Sequence, residues 1–214
     1  MKIIDLTHSI SSKMPVYPGT EPPVITDATT IEREGFAEKL ISFFSHTGTH
    51  IDAPGHILQG RFTLDQFSTD KFVGNGLVID VTKNETRIIE KESIEKYSAE
   101  IAASDFILFN TGWDRRWGRD SYFNDFPTLS GDSAKWLCNF QIKGIGFDCI
   151  SADPVDVTHL PNHKILLNND FIIIENLCNL HKLIGCPFTF FCLPLKIADS
   201  DGSPVRAVGV LYIK

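Results

Sequence analysis

Residues 45–56 constrain the local structure more than any other part of the chain. They include three of the seven histidines, together with a carboxylate and two glycines. A helix would turn the carboxylate away from the histidines, whereas an extended chain places every second side chain on one side. The side chains that would share that side are His46, Gly48, His50 and Asp52. The sequence Ala53-Pro54-Gly55 then predicts a turn that brings His56 back over them.

This alternation predicts a metal site. Imidazole nitrogens and a carboxylate oxygen suit zinc, or manganese where oxygen ligands contribute more. A lone histidine on such a segment is usually a packing or capping residue, but packing gives no reason to alternate His46, His50 and Asp52 beside a glycine. Three protein ligands leave a position open for water, whose pKa a bound metal lowers to about 7, so hydrolysis is the natural reaction class. His56, beside the metal, is the candidate catalytic acid and base.

Composition limits the classes of partner and the cellular compartment. In a chain of 214 residues, hydrophobic residues make up 43% and charged residues 22%, a balance that supports a buried core. The formal charge of −7 and the lack of a basic run argue against a nucleic-acid partner. Five cysteines without a C-x-x-C pair indicate no disulfide framework, and neither a signal peptide nor a membrane span is recognisable. We therefore expect a cytoplasmic protein that acts on a small molecule, without a membrane partner.

The pattern of branched, aromatic and turn residues predicts a mixed α/β fold. Residues 1–214 contain no repeat or linker at which to divide them, so a single domain is expected. Helices are predicted over 93–103 and 132–140, each capped by its first residue. The predicted strands are 2–6, 39–44, 77–81, 106–109, 145–147, 171–174 and 205–213.

Two loops interrupt this pattern of strands and helices. Residues 15–23 contain four prolines and a glycine, which predicts an ordered, extended loop. Such a loop either borders a site or forms a rigid surface turn. Residues 199–204 read Asp-Ser-Asp-Gly-Ser-Pro, a cluster that predicts a turn before the last strand.

The histidine motif resembles that of the cyclase family of metal-dependent hydrolases, which includes bacterial kynurenine formamidases, isatin hydrolases and related lactone hydrolases. The family's mark is H-x-G-T-H-x-D-x-P-x-H, and residues 46–56 match every fixed position. Further likeness covers nearly the whole chain. The resemblance implies a β/β/α fold similar to the swivelling domain, assembled as a homodimer or homotetramer. The segments that carry the further likeness are 5–7, 15–19, 111–113, 146–148, 151–153 and 175–177.

The resemblance also implies a second metal ion. In the formamidase branch a histidine and a glutamate twelve positions apart hold this ion and share the aspartate with the first. His163 and Glu175 have that spacing, so two zinc ions per chain are expected, with manganese as the alternative. The sequence departs from the family at Lys164, where a second histidine is frequent, and at Tyr17, where tryptophan is expected. The candidate substrate-binding residues are Tyr17, Phe43 and Trp113.

These features lead to a functional hypothesis with two alternatives. The leading expectation is hydrolysis of the C–N bond of an N-formyl aromatic amine, similar to N-formylkynurenine, or of a cyclic amide. One alternative is hydrolysis of a lactone or another cyclic substrate. The other is a metal-binding protein without catalysis, but a structural ion would have a closed ligand shell and would gain nothing from a base such as His56 beside it.

Overall fold

The computed structural model describes residues 1–84 and 86–212. The α-helices in this part of the chain are α1 (Ile31–Glu34), α2 (Lys91–Ile94), α3 (Ser98–Ala102), α4 (Gly131–Leu137) and α5 (Pro161–Asn168). The strands are β1 (Lys2–Asp5), β2 (Val24–Thr29), β3 (Glu38–Ser42), β4 (His50–Asp52), β5 (Val73–Asp80), β6 (Ile88–Ile89), β7 (Phe106–Asn110), β8 (Thr128–Leu129), β9 (Gly144–Phe147), β10 (Ile172–Glu175), β11 (Phe188–Phe191), β12 (Gly202–Pro204) and β13 (Val208–Leu211). Among these helices, none is long and apolar enough to cross a bilayer.

One mixed sheet carries most of these strands. Across the described residues its order is β1-β13-β11-β5-β7-β9-β10-β4-β12. The central strands β5, β7, β9 and β10 are parallel, and β4 and β12 continue the sheet in antiparallel pairing. In this register, Glu175 on β10 lies opposite His50 on β4, and Gly202 on β12 lies opposite Asp52. The sheet order therefore gathers three distant parts of the sequence at one edge.

Both faces of the central sheet are covered by apolar side chains. All five residues of β7 are buried, as expected for a parallel strand with cover on each side. Ile107 and Phe109 point into one core, which also contains side chains of α2 to α5. Phe106 and Leu108 point into the other core, together with residues of β1, β4 and β11. Alternate residues of one strand thus connect two cores, which hold the sheet in place between them.

The predicted mixed α/β fold class is confirmed, with differences at several elements. The helix predicted over 93–103 is two short helices, α2 and α3, joined by a tight turn at Glu95–Tyr97. Its start at residue 93 was wrong, since α2 begins at Lys91. The helix predicted from residue 132 begins one residue earlier, because the side chain of Ser130 accepts a hydrogen bond from the backbone N–H of Ser133. The strand predicted over 205–213 is confirmed over Val208–Leu211, and residue 213 lies outside the described residues.

Three elements that position the site or border the core were not predicted. One is β12, which begins at Gly202 inside the segment 199–204 that was predicted as a turn. Helix α5 follows Leu160, which has a left-handed φ of 47°, and places Pro161 in its first turn, where a missing N–H costs nothing. Strand β11 pairs with β5 and β13 inside the main sheet. Strands β2 and β3 form a separate two-stranded ribbon, and every residue of β3 is exposed.

The central strands should dominate stability. Ile145 on β9 is fully buried, so Ile145→Ala should lower the free energy of unfolding by about 2–5 kcal/mol through lost transfer energy and a residual cavity. Ile3→Ala is the matched control, since Ile3 is exposed on β1 and its loss should change stability by less than about 0.5 kcal/mol. Urea titrations at equal metal loading measure both changes. Similar losses in the two variants would contradict the placement of the core.

Candidate active site

Strand β4 delivers the centre of the histidine motif. His50 and Asp52 point to the same side and are buried, while Ile51 between them packs into the core. The extended chain predicted from His46 onward was wrong before His50. Gly48 has a φ of 66°, in the left-handed region that glycine reaches without strain, so the chain bends there. His46 nevertheless reaches the same centre from this bend.

A first group of ligand atoms surrounds one oxygen of Asp52. Nδ1 of His46 lies 2.7 Å from Oδ1 of Asp52, and Nε2 of His50 lies 3.3 Å from the same oxygen. Nδ1–H of His50 donates to the carbonyl oxygen of Gly48 at 2.8 Å. That bond turns the other ring nitrogen, Nε2, toward Asp52 with its lone pair free. His46, His50 and Asp52 therefore form a group that could hold one cation.

A second group surrounds the other oxygen of Asp52. Nε2 of His163 lies 3.5 Å from Oδ2 of Asp52 and 3.4 Å from Oε1 of Glu175. Helix α5 carries His163 and the end of β10 carries Glu175, and all three side chains are buried. Oε2 of Glu175 also faces Nε2 of His50 at 3.5 Å. Asp52 thus belongs to both ligand groups, the arrangement that two ions with a shared carboxylate require.

His56 lies beside these two groups. It ends the short turn Pro54–His56, and its ring centroid is 4.0 Å from that of His46 and 6.3 Å from that of His163. Nδ1 of His56 lies 3.0 Å from Oδ2 of Asp201, which also lies 2.9 Å from Nε2 of His46. Asp201 was not among the residues predicted for the site. Its only sequence signal was a turn cluster, although it forms with His46 and His56 a third, more exposed group of potential ligands.

The site has an electrostatic preference for positive charge. Burial lowers the pKa of His46, but the charge of Asp52 and hydrogen bonds to Asp201 and Asp52 outweigh it and raise the pKa to about 10. Burial likewise opposes the proton on His163, yet hydrogen bonds to Asp153, Asp52 and Glu175 raise its pKa well above the usual value. Burial acts to raise the pKa of Asp52, but the neighbouring histidines hold it well below its usual range. Protons compensate the carboxylates in the metal-free chain, and a divalent cation fits the same nitrogen and oxygen donors.

A cavity of about 320 Å³ opens onto these ligands. The predicted loop over 15–23 borders it, and Tyr17 lies in its wall. The O–H of Tyr17 donates to the backbone oxygen of Val155 at 3.4 Å. Phe44 lines the cavity, rather than the neighbouring Phe43 that was selected from the sequence. The apolar lining residues are Pro15, Val16, Tyr17, Phe44, Ile150 and Leu160.

The structure places Trp113 away from the cavity wall. Its side chain is buried in the core that contains α2 to α5, and its indole N–H donates to the backbone oxygen of Tyr122 at 2.8 Å. The guanidinium of Arg116 lies 4.0 Å from the centre of its ring. Packing and this hydrogen bond account for the tryptophan, so its selection as a substrate-binding residue is not supported by its position.

Comparisons with known proteins agree with this geometry. The sequence model of the family described as "Putative cyclase" matches residues 4–154. The chain belongs to this cyclase family. A kynurenine formamidase from Bacillus thuringiensis (strain Al Hakam) is 33% identical over 96% of this chain and 95% of its own length. By its family and relatives, the protein is a metal-dependent hydrolase, as the sequence predicted.

Solved structures confirm the predicted fold. A potential metal-dependent hydrolase with cyclase activity matches with a TM-score of 0.82 and 30% identity, over 100% of this chain and 99% of the other. An isatin hydrolase bound to the product analogue thioisatinate matches with a TM-score of 0.89 and 24% identity, over 99% and 93%. The second likeness concerns the fold alone. The protein therefore has the mixed α/β architecture of its family.

Two further residues fix the orientation of side chains in these candidate ligand groups. Oδ2 of Asp153 lies 2.7 Å from Nδ1 of His163 and accepts the backbone N–H of the same residue at 3.0 Å. The amide of Asn176 donates to the carbonyl oxygen of Gly48 at 2.9 Å, the same oxygen that receives the N–H of His50. Both residues lie in segments that carry the family likeness, but neither was predicted to belong to the site. Partners of this kind fix the ring orientation of ligating histidines.

Metal binding should tighten as the pH rises. Because the pKa of His46 is raised in the fold, its proton stabilises the metal-free protein fully below about pH 6.5, and that contribution is lost toward pH 10. A metal ion must displace this proton, so zinc should raise the midpoint of thermal unfolding more at pH 8 than at pH 6. Calorimetry with and without a chelator measures the difference. The metal-free protein over the same pH range is the control, and an equal zinc effect at both pH values would contradict the argument.

Proposed function

We propose that the protein hydrolyses the C–N bond of an N-formyl aromatic amine, of the N-formylkynurenine type, or of a cyclic amide. The observation that carries the proposal is the meeting of two ligand groups at Asp52, with His56 beside them and a cavity above them. A closed structural site would have no use for a cavity at its ligands. The kynurenine formamidase of Bacillus thuringiensis, which matches over nearly its whole length, supports a formyl amide as the substrate.

We further propose two zinc ions per chain, with manganese as the alternative. His46, His50 and Asp52 would hold the first, and Asp52, His163 and Glu175 the second. Divalent ions at these positions supply Lewis acidity, which makes water more acidic and polarises a carbonyl oxygen. The mixed nitrogen and oxygen donors support zinc, and the two carboxylates support manganese as a substitute.

His56 is the proposed acid and base. Its Nδ1 faces Asp201 at 3.0 Å, so its Nε2 is the nitrogen left to exchange protons. In hydrolysis, water adds to the formyl carbon and its proton passes to His56. The C–N bond then breaks and the same proton passes to the leaving nitrogen. The products are the free aromatic amine and formic acid, which releases its proton to give formate. Tyr17 and Phe44 in the cavity wall are suited to contact a flat aromatic ring.

The assembly and compartment are also proposals. We propose that residues 1–214 act as one domain in a cytoplasmic homodimer or homotetramer. The five free thiols support a reducing compartment. The ribbon of β2 and β3 supports an oligomer, because a two-stranded ribbon is marginally stable alone and exposes apolar side chains. These side chains include Val24, Leu40 and Ile41.

Removal of the proposed base should separate catalysis from metal binding. His56→Asn should keep its metal content and lose about two to four orders of magnitude in kcat on N-formylkynurenine, the usual contribution of general acid–base catalysis. His181→Asn replaces an exposed histidine and should keep full activity. Product formation and elemental analysis test both. Loss of an ion in His56→Asn would show that His56 is a metal ligand. The assignment of C–N bond hydrolysis would be contradicted by a wild type that hydrolyses simple lactones but neither N-formylkynurenine nor isatin.

The second ion depends on Glu175. Glu175→Gln removes a negative charge and a preferred oxygen ligand, so it should lower bound zinc by about one equivalent and leave the group of His46, His50 and Asp52 occupied. Glu92→Gln is the matched control, because Glu92 is exposed on α2. Zinc titration of metal-free protein, followed by elemental analysis and circular dichroism, measures the count. A wild type saturated by one ion, or a Glu175→Gln variant that still holds two, would disprove the two-ion proposal.

A further inference from the structure

One carboxylate oxygen connects a proposed metal ligand to the proposed base. Oδ2 of Asp201 lies 2.9 Å from Nε2 of His46 and 3.0 Å from Nδ1 of His56. The other oxygen, Oδ1, accepts the hydroxyl of Ser45 at 3.0 Å. We propose that Asp201 is a positioning residue of this site, which sets the tautomer of His56 and the ring orientation of His46 at the same time.

The backbone around Asp201 is fixed against the histidine motif. The carbonyl oxygen of Asp201 accepts the backbone N–H of Ala53 at 2.8 Å. The next residue, Gly202, begins β12 opposite Asp52, and a Cβ on Gly202 would lie 2.5 Å from Cε1 of His46. Because glycine has no side chain, the ring of His46 can pack directly against this strand. The carboxylate is therefore held in place by main-chain contacts on both sides, although it belongs to a loop.

The effect on His56 follows from the chemistry of imidazole. When Nδ1–H donates to a carboxylate, the neutral ring carries its proton on Nδ1 and keeps the lone pair on Nε2. Asp201 would thus select the reactive nitrogen of His56.

The effect on His46 is the orientation of a ligand. Nδ1 of His46 faces Oδ1 of Asp52, inside the first ligand group, whereas Nε2 faces Asp201 outside it. Metal-binding histidines usually donate their outer N–H to a carboxylate or a carbonyl group, and loss of that partner costs about 10–100-fold in metal affinity or activity. Asp201 is in this position for His46, as Asp153 is for His163.

The exposure of Asp201 distinguishes this role from that of a ligand. Its side chain is 40% exposed, against 1% for that of Asp52 and 6% for that of Glu175. Asp201 therefore supports the ligand groups from the solvent side.

The experiment compares Asp201→Asn and Asp201→Ala with Asp199→Asn. Asp199 is exposed in the same loop, and asparagine tolerates its positive φ of 56°. In the Asp201 variants, kcat should fall about 10–100-fold with KM within about twofold of wild type, and zinc affinity measured against a chelator should fall about 10–100-fold, with the same number of ions at saturation. Nitrogen-15 NMR of the metal-free protein should show His56 losing its preference for a proton on Nδ1. Ser45→Ala should cause smaller changes in the same direction.

The outcomes separate this inference from the proposed function, on which its catalytic part rests. The NMR and zinc measurements need no substrate, so a wild type without formamidase activity would refute the proposed function and still test Asp201. Unchanged tautomer and unchanged zinc affinity in both folded Asp201 variants would overturn the inference. Loss of one whole zinc equivalent at saturation would also overturn it, because Asp201 would then be a ligand. Equal effects in Asp199→Asn would also overturn the inference, because the changes would then follow from the negative charge of the loop and not from the contacts of Asp201.

Discussion

The burial of one carboxylate, that of Asp52, determines how the rest of the site is built. A carboxylate taken out of water is costly unless charges and hydrogen bonds compensate it. Here each oxygen faces imidazole nitrogens, those of His46 and His50 on one side and that of His163 on the other. The compensating groups come from parts of the chain that are far apart in sequence. The burial of Asp52 therefore requires a fold that brings the motif and α5 together.

The sheet order is what brings these segments together. The parallel strands β5, β7, β9 and β10 form a rigid centre with an apolar core on each face. Antiparallel pairing then adds β4 and β12 beyond β10, so that His50 lies opposite Glu175 and Asp52 lies opposite Gly202. His50, Asp52 and Glu175 therefore lie toward one edge of the sheet, where a cavity reaches them.

The parts of the site that the sequence could predict are those encoded contiguously. The alternation of histidine and aspartate in one segment predicted His46, His50 and Asp52 as metal ligands, whereas the prediction of His163 and Glu175 depended on the family resemblance. Asp201 and its neighbours were read as a turn, because Asp, Ser and Gly occur in turns for local reasons and composition does not show where a turn points. Composition likewise does not distinguish an aromatic residue of the core from one in a cavity wall. Trp113 was therefore predicted to bind substrate although it is buried, and Phe44 in the cavity wall was not.

The two ring nitrogens of the candidate ligand histidines have different partners. In each ring one nitrogen is turned toward the centre and the other is held by a group outside it: a backbone carbonyl for His50, Asp153 for His163, and Asp201 for His46. The orientation of the ligands is thus determined below and beside the site. The walls of the cavity also include residues outside the ligand groups, such as Tyr17 in the proline-rich loop and Phe44. Residues of this kind can change with the substrate while the ligand groups stay the same.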